Sequence, residues 1–134
     1  MAVVHRFTGT DTSYDWKNVI STSYEGTSAK GASKKVLIGG NEGAPYFVFR
    51  YFRIEAGGHS TMNDYHSHDH GVLILHGKAS VTVEDEVYEL NPRDIIYIKG
   101  LEHHFLEAVG DKPLGFLCVI ANKDMLAQLG VQPI

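Results

Sequence analysis

Apolar and polar residues alternate along most of this chain in short runs, and glycine, proline or aspartate interrupts the runs at close intervals. Alternation over about four to eight residues marks strands that are buried on one face. Residues 35–38 (KVLI) read as a strand closed by the Gly39-Gly40 turn, and 41–45 (NEGAP) as a loop. Residues 46–55 (YFVFRYFRIE) are rich in aromatic and β-branched side chains, as strands are. Gly57-Gly58 then reads as a turn. A strand is predicted at 72–75, a tight turn at 76–78, and a hairpin of 79–84 and 86–90 around Asp85. NPRD at 91–94 is a turn with proline where turns favour it. Further strands are predicted at 95–98, 103–109 and 114–121. Asn122 reads as a helix N-cap, with Asp124 in the first turn and Gly130 at the stop, so a short helix is predicted over about 123–129.

Residues 1–33 carry less pattern. Residues 3–7 fit a short edge strand. The remainder is rich in Gly, Ser and Thr and predicts sparse regular structure, anchored by Trp16, Val19 and Ile20. Three regions result: an N-terminal arm (1–33) that wraps the domain or reaches a partner subunit, a β-domain (34–122), and a short C-terminal helix and tail (123–134). Many short strands between turns indicate an all-β sandwich or barrel, and strands apolar on both faces fit a double-sheet jelly roll. The same two-faced strands, together with the arm, predict a homodimer.

Composition narrows the partners. With 134 residues, 43% hydrophobic and 21% charged, one globular domain is expected. A net charge of -4, a pI near 6.0 and no Lys/Arg cluster argue against nucleic acid and anionic membrane surfaces as partners. No apolar run approaches the ~20 residues that span a bilayer. The N-terminus lacks a basic region followed by a long apolar stretch, so no secretory signal is expected. The single cysteine, Cys118, lies in the run GFLCVI and reads as a buried core thiol. It cannot form an intrachain disulfide, which fits a reducing, cytoplasmic setting.

Chemistry concentrates in one stretch, GGHSTMNDYHSHDHGVLILHG (57–77). It holds five of the chain's 8 histidines, His59, His66, His68, His70 and His76, beside Asp64 and Asp69. Imidazole and carboxylate are common ligands of divalent metals, and packing alone does not explain such density. A structural zinc site would favour cysteine, and none is near. No phosphate-binding glycine loop and no Ser/His/Asp or Cys/His pair suggests nucleotide binding or acyl transfer.

These residues resemble the cupin superfamily. Its first motif reads glycine, five residues, His-x-His, three or four residues, Glu, six residues, glycine. With Gly77 as the closing glycine, His70 falls at the Glu position, His66 at the second histidine, Asp64 at the first, and Gly58 at the opening glycine. Every spacing fits, with two ligand types exchanged. The other register, with His66 and His68 as the His-x-His pair, puts Val72 or Leu73 at the Glu position. The second motif resembles NPRDIIYIKGLEHHF (91–105), with Arg93 in place of a turn glycine and no loop proline. Counting forward from the turn selects His104. Counting back from Phe105, or on from Gly100, selects His103, which is preferred, with His104 as the alternative. The resemblance extends over about 35–122 to a single-domain, cupin-2-like subfamily with histidine at the Glu position and an FLC-type last strand.

The resemblance implies a double-stranded β-helix, or jelly-roll, barrel with an N-terminal arm and a short C-terminal helix. It implies a divalent metal (Fe, Mn, Zn, Ni or Co) held by Asp64, His66, His70 and His103, with His68 and His104 as alternatives. Three or four nitrogen and oxygen ligands leave coordination positions open for a substrate. Glu107 shares the parity of His103 and is the candidate general base. Tyr51, Phe47, Phe49, Tyr97, Phe105 and Phe116 are candidates to line an apolar pocket. His5 and His59 read as peripheral, and His76 as half-exposed before a turn. The leading expectation is a metal-dependent enzyme acting on a small molecule, of dioxygenase, isomerase or cyclase type. The alternative is a non-catalytic binding or sensing module.

Overall fold

The computed structural model describes residues 2–24 and 27–131. Met1, Glu25, Gly26 and the end of the tail from 132 lie outside the described residues. The strands are β1 (Ser21–Ser23), β2 (Lys30–Ile38), β3 (Phe47–His59), β4 (His70–His76), β5 (Lys78–Val83), β6 (Glu86–Leu90), β7 (Ile95–Ile98), β8 (His104–Val109) and β9 (Leu114–Ala121). One helix, α1 (Lys123–Gln128), follows β9. All strand pairings are antiparallel, in the order β6-β5-β8-β3-β9-β4-β7, with β2 on β3 and β1 on β2. The result is a jelly-roll barrel with an N-terminal arm and a short C-terminal helix. Among the described residues no helix is long and apolar enough to cross a membrane.

Strand alternation places the core. Ile54, Val72, Ile74, Val81, Leu106, Leu114 and Phe116 are each at most 5% exposed and pack inside the barrel. The Phe52 and Phe116 rings stack at 5.1 Å. At the chain's end Asn122 caps α1 by accepting from the Asp124 amide at 2.8 Å, and Gly130 follows with φ of 78°.

Three local features differ from the sequence expectations. Gly57-Gly58 does not turn the chain. β3 runs through it to His59, and the register on β2 jumps between Ala32 and Lys30, so the extra residues form a bulge. Gly57 has φ of 78°, and a Cβ at Gly58 would run into the Lys30 carbonyl. A second bulge between Ile74 and His76 moves His76 to the outer face. There it is 7% exposed, not half-exposed; its Nδ1 donates to the Pro113 carbonyl at 3.1 Å and its Nε2 accepts from the Tyr51 hydroxyl at 2.6 Å. Finally, regular structure starts earlier than 34, because β1 and the first part of β2 already extend the sheet.

The arm wraps its own barrel. Residues 3–7 form no strand beyond a bridge between Phe7 and Trp16. Tyr14 stacks on Tyr51 at 5.5 Å, and Trp16 meets the same ring edge-on at 5.4 Å. The Tyr14 amide donates to the Tyr51 hydroxyl at 3.3 Å. Tyr51 is 1% exposed, and its burial pushes the phenol up to about 12.

Candidate metal centre

β4 begins at His70, whose side chain shares the inner face with Val72 and Ile74. The segment before it, from Tyr65 to Asp69, is a loop. Asp64 forms an isolated bridge with His104: its amide donates to the His104 carbonyl at 2.8 Å, and the His104 amide returns to Asp64 at 2.9 Å. The loop then bends at Ser67–His68–Asp69, which carries His66 and His70 to one point.

At that point one ring nitrogen from each of His66, His70 and His104 lies within 4.8 Å of the other two. The three rings are held in one sense. His66 Nδ1 donates to the His68 carbonyl at 3.1 Å, and His104 Nδ1 donates to the Glu102 carbonyl at 2.9 Å. A carbonyl only accepts, so both Nδ1 atoms carry a proton, and in the neutral imidazole Nε2 is then the atom free to bind a metal. His70 Nδ1 lies 3.0 Å from Cys118 Sγ, and its Nε2 lies 2.9 Å from His66 Nε2. That separation is one that a single proton or a metal ion held between the two nitrogens can bridge. Two imidazole nitrogens held at ~2.1 Å and right angles on one metal would be about 3.0 Å apart. The histidine triad is thus positioned to chelate a metal ion, and the groups behind the rings are the kind that orient metal-binding histidines.

Asp64 approaches the same point. Its Oδ2 is 3.5 Å from His66 Nε2 and 4.0 Å from His104 Nε2. Burial pushes its carboxyl up, but the His66 hydrogen bond and the His66 and His104 charges more than offset this and hold it below the usual range. His68 packs flat on His66, with ring centroids 3.8 Å apart. Burial, and then the His66 charge, lower His68 to about 4 and His70 to about 2; burial also lowers His104.

The preferred His103 is replaced by His104. His104 is 5% exposed and points inward with Leu106 and Ala108. The His103 side chain is 43% exposed, stacks on Tyr65 at 4.5 Å and lies 3.6 Å from Glu84. Glu107 is corrected with it, since it shares the outward parity of His103 and is paired with Ser80 and His59 on neighbouring strands. Of the aromatic candidates Phe116 lines the cavity, joined by Phe52. Tyr51 faces the arm, Phe47 and Phe49 pack on each other, and Tyr97 donates to Asp69 at 2.7 Å on the surface. His5 pairs with Glu42 at 3.0 Å, away from the site.

Cys118 is buried in the core, as its apolar run suggests, and it also faces the site. Its sulfur touches His70 and accepts from Arg50 Nη2 at 3.1 Å, and it lines the same cavity of about 550 Å³. Burial pushes its thiol up, against the opposing pull of Arg50. The parity signal was available: Cys118 alternates with Phe116 and Leu114, and pairs with Arg50 on one side and Val72 on the other.

The cupin-domain family profile matches residues 50–120, more than half of the chain. This chain is a cupin. A relative of this cupin, the 1-methylthio-D-xylulose 5-phosphate methylsulfurylase of Rhodospirillum rubrum, is 36% identical over 115 residues, covering 83% of this chain and 72% of the relative. Among solved structures, a cupin-2 domain protein of Rhodospirillum rubrum is 32% identical, with 92% of this chain and 89% of that one covered and a TM-score of 0.74. A cupin 2 domain-containing protein of Halorhodospira halophila is also 32% identical, with 96% and 91% covered and a TM-score of 0.63. The polyketide cyclase RemF of Streptomyces resistomycificus, 24% identical with a TM-score of 0.74 over 90% of this chain and 79% of that one, shares the fold.

Proposed function

We propose that this cupin is a metal-dependent enzyme acting on a small, oxygen-rich molecule, with His66, His70, His104 and Asp64 as ligands of one divalent ion. The observation that carries the reading is the set of Nε2 atoms facing one another while each Nδ1 is engaged behind its ring. Imidazole and carboxylate suit iron, manganese, cobalt, nickel or zinc. When bound, such an ion would supply a Lewis acid, or a redox centre, with positions left for substrate oxygens. The chain's own residues do the rest. Cys118, His68 and the Glu102 carbonyl hold the rings. The apolar walls, Phe52, Val72, Ile98, Leu106 and Phe116, exclude water from bound substrate. The methylsulfurylase of Rhodospirillum rubrum is named for a small phosphorylated sugar, which supports a substrate of this size and polarity.

The test is turnover. Metal-loaded protein is offered a panel of small keto- and hydroxy-sugars, free and phosphorylated, and products are sought by mass spectrometry. Product that vanishes on chelation and in His66→Ala supports the reading. Binding of a panel member with no product under any metal would transfer it to the sensing module.

The oligomer proposed for this cupin is a homodimer. The edge strand β7 leaves Ile95 72% and Tyr97 66% exposed, which supports a covered edge; light scattering at working concentration decides. The free, buried Cys118 supports action in the reducing cytoplasm, testable by fractionation. A net charge of -4 supports the exclusion of nucleic acid, testable by mobility shift.

A further inference from the structure

The cavity is lined by cations as well as by the metal ligands. The cations are Lys34 on β2, Arg50 on β3 and Lys123 at the start of α1. Lys34 pairs with Phe52 and Val36 pairs with Arg50, so the Lys34 and Arg50 side chains share the inner face as diagonal neighbours. Burial lowers the Lys34 ammonium, and the charges of Arg50 and Lys123 lower it further, so both of these cations stand close enough to act on Lys34.

None of the three has an ion-pair partner among the described residues. Arg50 donates one hydrogen bond to Cys118 Sγ, lies 5.0 Å from the Phe52 ring centre, and has a buried Nε with no partner. Two carboxylates also line the cavity: Asp64 is turned to His66 and His104, and Asp124 stands exposed on the first turn of α1. A half-buried guanidinium and ammonium without a counter-charge cost folding free energy, and an anion entering the cavity would offset that cost.

We propose that Lys34, Arg50 and Lys123 form an anion subsite that holds the phosphate monoester end of the substrate. The proposal rests on the cavity being the substrate site, as argued above. Three cations suit a phosphate dianion better than a carboxylate. The phosphate leaves less unbalanced charge, and its oxygens can accept from Arg50 Nε and both ammonium groups together.

Calorimetric titration of metal-loaded protein with inorganic phosphate and with acetate tests this, with metal content measured on the same samples. Phosphate is expected to bind at least about tenfold tighter than acetate, and Arg50→Gln to weaken phosphate by about tenfold, the loss of one charge-assisted contact. Lys34→Gln and Lys123→Gln are expected to weaken it about threefold or more at unchanged metal content. These two also decide the matter should Arg50→Gln fail to fold. His70→Ala separates the two readings: phosphate binding that persists as metal falls supports the subsite, since the cations and not the metal hold the anion. Phosphate affinity unchanged in both lysine variants, lost together with the metal in His70→Ala, or weaker than that of acetate overturns the proposal. Absence of metal from every sample, with phosphate binding still sensitive to the lysines, contradicts the metal reading and leaves the subsite standing.

Discussion

Mild acid is expected to destabilise this cupin through its buried histidines. Folding lowers His70 to about 2 and His68 to about 4, from an ordinary value of 6.5. Both rings are therefore neutral in the folded chain at pH 5 and protonated in the unfolded one. A folded-state value below the unfolded one means stability that is present above 6.5 and lost as pH falls. Between about pH 7 and pH 5 each ring costs about 2 kcal/mol by proton linkage, so the pair costs about 4 kcal/mol. His104 and His76, also lowered, add in the same direction. This is a large share of the ~5–15 kcal/mol that holds a typical domain. The window lies above the range where carboxylates of unfolded chains titrate, so few other groups contribute. Urea unfolding of chelator-stripped protein, followed by Trp16 fluorescence at both pH values, reads the change. His68→Gln is expected to reduce the acid loss by about 2 kcal/mol by removing one of the two protons. A stability that is flat or rising from pH 7 to pH 5 would mean that the buried rings do not stay neutral in the folded chain.

Two further perturbations test the packing. Tyr51→Phe leaves His76 Nε2 buried without its partner, which is expected to cost about 1–3 kcal/mol, read by thermal unfolding, with metal content unchanged. Gly115→Ala would drive a Cβ into the His76 ring; it is expected to lower the melting temperature by at least several degrees and to break the Tyr51–His76 bond, seen as a perturbed His76 signal by NMR.

The strands were readable because alternation and turn residues are local properties. β5 to β9 lie within one residue of their expected ends, β4 starts two residues early at His70, and the Asn122 cap and the Gly130 stop are both in place. The spacing of Gly58, Asp64, His66, His70 and Gly77 held for the same reason, since the loop and bend between them are fixed in length. His103 against His104 turned on one residue in the loop before β8. That loop contains Leu101 with φ of 69°, a conformation that no residue type there announces. The phase of β8 is set by its partners, through the pairing of His104 with Val83 and its bridge to Asp64, and these are long-range facts. Glu107 went with it, because its parity was borrowed from His103. The same limit applies to His76, which a bulge at Leu75 moves to the outer face, and to Cys118. An apolar run alone does not say that Cys118 faces a histidine from another strand.

Metal content decides whether His104 completes the centre with His66 and His70. Elemental mass spectrometry on tag-free protein compares the wild type with His104→Ala and His103→Ala. About one divalent metal per chain is expected in the wild type and in His103→Ala, and a clear loss in His104→Ala. Equal metal in the two variants, or loss in His103→Ala with retention in His104→Ala, would contradict it.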